Sequence, residues 1–204
     1  MTATLNPVML RPMRAWLKTA AGAVSLAGLI ALAGPALADT TIIGNGFAAD
    51  CSTAARAVSR NIPPSSEAFR QCDLAIEQEV LSPHELAATH VNRGVLFLAK
   101  REFATAKKDF DAAARIEPGL GEAYVNRGAA LIGLGMNREG IADIDKGLAL
   151  NASEPEKAYF NRALAEERLD DLKSAYADYQ KALELKPDWE APKAELARFH
   201  VVQK

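Results

Sequence analysis

The chain has little of what catalysis usually draws on. Its 204 residues include two cysteines and three histidines. Cys51 and Cys72 stand too far apart to form a Cys-x-x-Cys pair. His84-Glu85 with His90 resembles a zinc-protease pattern only on the surface. That pattern needs histidines four apart on one helical face, and these are six apart. No serine sits in a nucleophile elbow, and Gly94, Gly128, Gly133 and Gly135 do not build a phosphate loop. The sequence therefore predicts no catalytic residue, no metal and no cofactor. An excess of positive charge is also missing. The formal net charge is −2, which argues against a nucleic-acid partner.

Long apolar runs are confined to the start. Arg11, Arg14 and Lys18 form a positive region without an acidic residue, and an apolar stretch follows from Thr19 to Leu37. The stretch is short for a membrane span and is interrupted by glycine. Ala36 and Ala38 satisfy the small-residue rule for signal-peptide cleavage. Residues 1–38 are expected to be a cleaved signal peptide, making the mature chain periplasmic or secreted, with no membrane insertion after cleavage. Losing three basic residues and no acidic one moves the formal net charge from −2 to −5. In an exported chain an even cysteine count favours a disulfide, here Cys51–Cys72.

What the chain does have is a repeated phrase. Asn92-Arg93-Gly94 returns as Asn126-Arg127-Gly128 after 34 residues, and as Asn161-Arg162-Ala163 after a further 35. Placing the phrase at positions 6, 7 and 8 of a 34-residue frame aligns further columns. Position 4 is His90, Tyr124 and Tyr159. Position 20 is Ala106, Gly140 and Ala175, position 24 is Phe110, Ile144 and Tyr179, and position 27 is Ala113, Gly147 and Ala182. Pro118 and Pro187 fall at position 32. Small residues at 8, 20 and 27 let two helices approach closely, and each hairpin must stack on a neighbour to bury its apolar face.

These columns resemble the tetratricopeptide repeat family. The resemblance covers about residues 87–187. It implies an all-α fold, a right-handed superhelical array of helical hairpins with a C-terminal solvating helix, and a non-catalytic role in holding other proteins or peptide segments. The units read as 83–118, 119–152 and 153–187, each an A helix followed by a B helix. Ser82-Pro83-His84-Glu85 is a capping box with proline in the first turn, and Ser153-Glu154-Pro155-Glu156 has the same form. Residues 47–82 read as a degenerate capping hairpin holding Cys51 and Cys72. Residues 39–46 read as an extended or disordered lead. Residues 188–204 read as a capping helix, with its helical span from Trp189 to Val202. Repeat 3 departs from the pattern with Glu166 at position 11, where a bulky apolar residue is usual.

Two polar columns remain. Arginine occupies position 7 in every unit and aspartate occupies position 23, as Asp109, Asp143 and Asp178, always 16 residues later. They are either interhelical pairs or solvated charges copied by duplication. Asparagine occupies position 6, on the face that lines the groove in this family. A carboxamide offers an acceptor and two donors, so it matches the C=O and N–H of an extended peptide. The candidate peptide groove is Asn92, Asn126 and Asn161, flanked by Val91, Val125, Phe160, Val95 and Leu164, with Lys157 and Arg168 charging the third-repeat end. A carboxylate clamp is not expected, because Ala88, Val91 and Val95 stand where its cations would be. The alternatives are an asparagine column that merely bonds neighbouring helices, and a chain that self-associates as a homo-oligomeric envelope scaffold.

Overall fold

A computed structural model describes residues 9–12 and 46–202 of the chain. The expected signal peptide and lead, 1–46, fall outside the described residues except for Met9–Pro12 and Gly46. Nine helices lie in the described part. They are α1 (Phe47–Val58), α2 (Ser66–Gln78), α3 (Pro83–Ala99), α4 (Phe103–Ile116), α5 (Gly121–Gly133), α6 (Asn137–Ala149), α7 (Pro155–Arg168), α8 (Leu172–Leu185) and α9 (Glu190–Leu196). The fold is an all-α repeat array. Helices pair as α1–α2, α3–α4, α5–α6 and α7–α8, and each pair packs on the next. Among the described residues no helix is long and apolar enough to cross a membrane.

Local chemistry sets the helix ends. The Ser82 hydroxyl accepts from the Glu85 N–H at 3.2 Å, and the Glu85 carboxylate accepts from the Ser82 N–H at 2.8 Å. This closes the expected capping box and starts α3 at Pro83. The second expected box does not form. Glu154, not Ser153, is the N-cap of α7, with a left-handed φ of 55° and no side-chain cap bond. The Ser153 N–H donates instead to the Glu122 carboxylate at 2.8 Å, tying the start of repeat 3 to the previous hairpin. The turns between A and B helices share one device. Arg101, Gly135 and Asp170, at the same frame position, all have positive φ.

The small-residue columns do what close packing requires. A Cβ on Gly128 would lie 2.7 Å from the Gly140 carbonyl oxygen and 2.7 Å from Ile144 Cγ1. A Cβ on Gly147 would lie 2.8 Å from the Gly121 carbonyl oxygen. The glycines that set repeat 2 apart thus stand where a side chain would meet the facing backbone. Phe110, Ile144 and Tyr179 fill position 24 and are fully buried. They stand in one apolar core that runs from Cys51 to Ala182.

The first hairpin is pinned by a Cys51–Cys72 disulfide, with both residues fully buried. The Glu79 carboxylate also accepts from the Phe47 and Ala48 N–H groups at 2.6 and 3.1 Å, capping α1. At the other end, Trp189 packs on Phe160 at 4.8 Å between ring centroids. The last helix is shorter than expected. It stops at Leu196, and Phe199–Val202 is a strand paired antiparallel with Met9–Pro12, Phe199 opposite Pro12. Phe, Val and Val within four residues favour extended backbone over a further helical turn.

Candidate functional site

The three A helices bring Asn92, Asn126 and Asn161 to equivalent places on α3, α5 and α7. All three are buried, Asn161 completely. The Asn126 side-chain amide donates to the Glu122 carbonyl oxygen at 3.0 Å, one turn back. Its own Oδ1 has no partner, nor has Oδ1 of Asn92, and in Asn161 both Nδ2 and Oδ1 lack one. A buried amide atom without a hydrogen bond costs about 1–3 kcal/mol. That cost recurs in every repeat, at the same frame position.

The flanking residues have two kinds of placement. Val91, Val95, Val125, Phe160 and Leu164 are buried and belong to the continuous core. They stand beside the asparagines as interior packing. The two cations are already engaged within the chain. Lys157 is buried and pairs with Glu154 at 2.5 Å. Arg168 donates from Nη1 to the Ile132 carbonyl oxygen at 2.8 Å, reaching the C-terminal end of α5. Glu167 is engaged as well, accepting from the Tyr179 hydroxyl at 3.0 Å and pairing with Arg198.

The arginine column forms a ladder that holds the A helices in place. Arg93, Arg127 and Arg162 each grip the position-23 aspartate of their own repeat with two bonds. Arg127 donates from Nε and Nη2 to Asp143 at 2.6 and 2.8 Å. Arg93 does so to Asp109 at 2.9 and 2.7 Å, and Arg162 to Asp178 at 2.6 and 2.9 Å. Each guanidinium also reaches back to the preceding hairpin, Arg93 to Asp73, Arg127 to Asp111 and Arg162 to Asp145. Every arginine therefore bridges two B helices. Asp178 bonding overcomes burial and holds Arg162 protonated far above the ordinary range, with Asp145 adding to it. Burial works against the ionised form of Asp109, but bonds from His90 and Arg93 outweigh it and hold that carboxyl below its usual value.

The second rung was missed in the sequence, although a signal existed. Asp111 and Asp145 both occupy position 25, two residues after the noticed aspartates. Tyr124 and Tyr159 at position 4 lie under the arginines, with guanidinium carbons 5.1 and 5.2 Å from the ring centroids. In repeat 1 His90 takes that place and bonds Asp109 at 3.0 Å. Among the described residues no group of three His, Cys, Asp or Glu could hold a metal ion.

Stacked helical hairpins with a repeated A-helix phrase and small residues at each crossing define a helical-repeat array. The tetratricopeptide repeat family matches residues 156–189. Solved structures agree. The Arabidopsis OM64 TPR domain is 25% identical at a TM-score of 0.54, covering 57% of this chain and 96% of that domain. The first TPR domain of human RPAP3 is 26% identical at a TM-score of 0.53, covering 57% of this chain and 91% of that domain. A MamA double mutant from RS-1 is 20% identical at a TM-score of 0.55, covering 75% and 82%, and shares the fold. No curated protein matches the chain. This chain is therefore similar to tetratricopeptide-repeat domains, and its fold is that of a protein–protein interaction module.

Proposed function

We propose that this chain is a periplasmic adaptor or assembly factor that holds an extended segment of another envelope protein along its asparagine column. The observation that carries the reading is the row of buried amide atoms without partners on α3, α5 and α7. An extended peptide backbone presents C=O and N–H groups of the kind these amides lack. The apolar residues beside the column favour an apolar segment, and the engagement of Lys157 and Arg168 within the chain argues against recognition of a charged terminus. The column is enclosed in this structure, so seating a segment requires it to open. Three short repeats and about 1 kcal/mol net per hydrogen bond suit a modest, micromolar grip. The Cys51–Cys72 bridge supports an oxidising compartment, and with the leader it supports the periplasm.

The test is affinity capture from the periplasmic fraction with wild type and Asn126→Ala/Asn161→Ala side by side. The double variant is expected to lose the captured protein while keeping the helical circular dichroism of the wild type. Equal capture by both would remove the column from the binding site. Light scattering on the purified chain reads the competing role, a self-associating scaffold, as a mass of more than one chain.

A further inference from the structure

The third repeat carries a carboxylate where the other two carry apolar side chains. Position 11 is Phe97 in repeat 1, Leu131 in repeat 2 and Glu166 in repeat 3. The Glu166 side chain is 14% exposed, and its Oε2 is enclosed without a hydrogen-bond partner. The nearest cation is Arg162 on its own helix, 4.0 Å away. That guanidinium is already committed to Asp178 on α8 and to Asp145 on α6. The other charged groups acting on Glu166 are all carboxylates: Asp178, Asp171 at the N-cap of α8, and Asp145. One arginine therefore faces four carboxylates, of which Asp145 and Asp171 reach solvent, and Glu166 is the enclosed one left without a bond.

We propose that Glu166 makes repeat 3 the pH-sensitive end of the array, closed while this carboxyl carries its proton and loosened when it ionises. Burial, reinforced by the Asp178 charge and only partly offset by Arg162, pushes the Glu166 carboxyl up to about 8. Protonation is then favoured more strongly in the folded repeat than in the unfolded chain, where the carboxyl has its ordinary value of 4.5. Between those values the native state holds a proton that the unfolded state has released. Stability is therefore complete below about 4.5, falls as pH rises through the window, and levels off above about 8. The position matters because α7 carries Asn161, Phe160 and Leu164. Opening there would loosen one end of the asparagine column and leave α3 to α6 closed.

The experiment follows amide hydrogen exchange of α7 and α8 between pH 5 and 8.5, corrected for intrinsic exchange, in the wild type, Glu166→Gln and Glu166→Leu. A carboxyl NMR titration of Glu166 in the wild type runs beside it. The wild type is expected to show an opening equilibrium for α7–α8 at least about tenfold larger at pH 8.5 than at pH 5, the size of one pH unit of linkage. Opening of α3–α4 should change much less. Both variants are expected to abolish the difference, Glu166→Leu by restoring the apolar residue that repeats 1 and 2 use. A Glu166 titration midpoint near 4.5 would overturn the proposal. So would the same pH slope in wild type and variants. Because the titration is read on unmodified protein, a variant that failed to fold would not spare the idea.

Discussion

Removing Arg127 tests whether the ladder sets the stacking of the hairpins. Its side chain is 21% exposed and meets Asp143, 16% exposed, through two bonds of 2.6 and 2.8 Å. Its third bond, 3.0 Å to Asp111, is weaker in context. Asp111 is 33% exposed and shared with Lys107 at 2.7 Å. Surface pairs contribute roughly 0–1 kcal/mol, and breaking half of a buried pair costs about 3–5 kcal/mol. This site lies between those limits, so Arg127→Ala should cost about 2–3 kcal/mol. Part of that loss is its contact with the Tyr124 ring, which a double-mutant cycle cancels. The coupling between Arg127 and Asp143 should be about 1.5–2.5 kcal/mol, as expected for a bidentate charged pair. The coupling between Arg127 and Asp111 should stay under about 1 kcal/mol. Urea unfolding followed by far-UV circular dichroism measures both, provided the denaturant slope is the same in all variants. A coupling to Asp143 below about 0.5 kcal/mol, or equal couplings to the two aspartates, would refute the reasoning.

Three further variants probe the packing and the N-terminal end. Gly128→Ala places a Cβ against the Gly140 backbone and Ile144, and should cost about 1–3 kcal/mol. Gly119→Ala meets nothing within 4 Å and should stay within about 0.5 kcal/mol, so equal melting temperatures for the two would contradict the close-approach argument. Replacing Cys51 and Cys72 by alanine opens a loop with a sequence separation of 21 and should cost about 3 kcal/mol on the chain-entropy view. The loss should concentrate in α1 and α2, read by hydrogen exchange. An unchanged exchange pattern there would show that Glu79 and the core hold the hairpin without the bridge.

Relations inside one hairpin were legible in the sequence. Gly94, Gly128 and Ala163 recur in phase with the B-helix residues of their own hairpin, because a helix crossing repeats with the helix itself. The Arg–Asp spacing of 16 residues was visible for the same reason, since both partners belong to one A–B pair. Relations between hairpins were not legible. The back-reaching bonds to Asp73, Asp111 and Asp145 depend on how far each hairpin is rotated against the next. The interior placement of Val91, Val125 and Phe160 and the reach of Arg168 to the Ile132 carbonyl depend on the same rotation. The left-handed Glu154 was hidden by a Ser-Glu-Pro-Glu string that reads as a cap. The Ser153 N–H took a partner from 31 residues earlier, and the local bond lost.

The sequence by itself determined that this chain is a helical repeat, because a period near 34 with small residues in phase has one economical solution. It also marked the asparagine, arginine and glycine columns as three separate features. Only the tertiary structure decided what each does. Stacking encloses the asparagines and leaves at least one amide atom of each without a partner, turns each arginine into a bridge across two hairpins, and strands Glu166 among carboxylates. Those outcomes follow from burial and from the distances between helices distant in sequence, which no periodicity along one chain encodes.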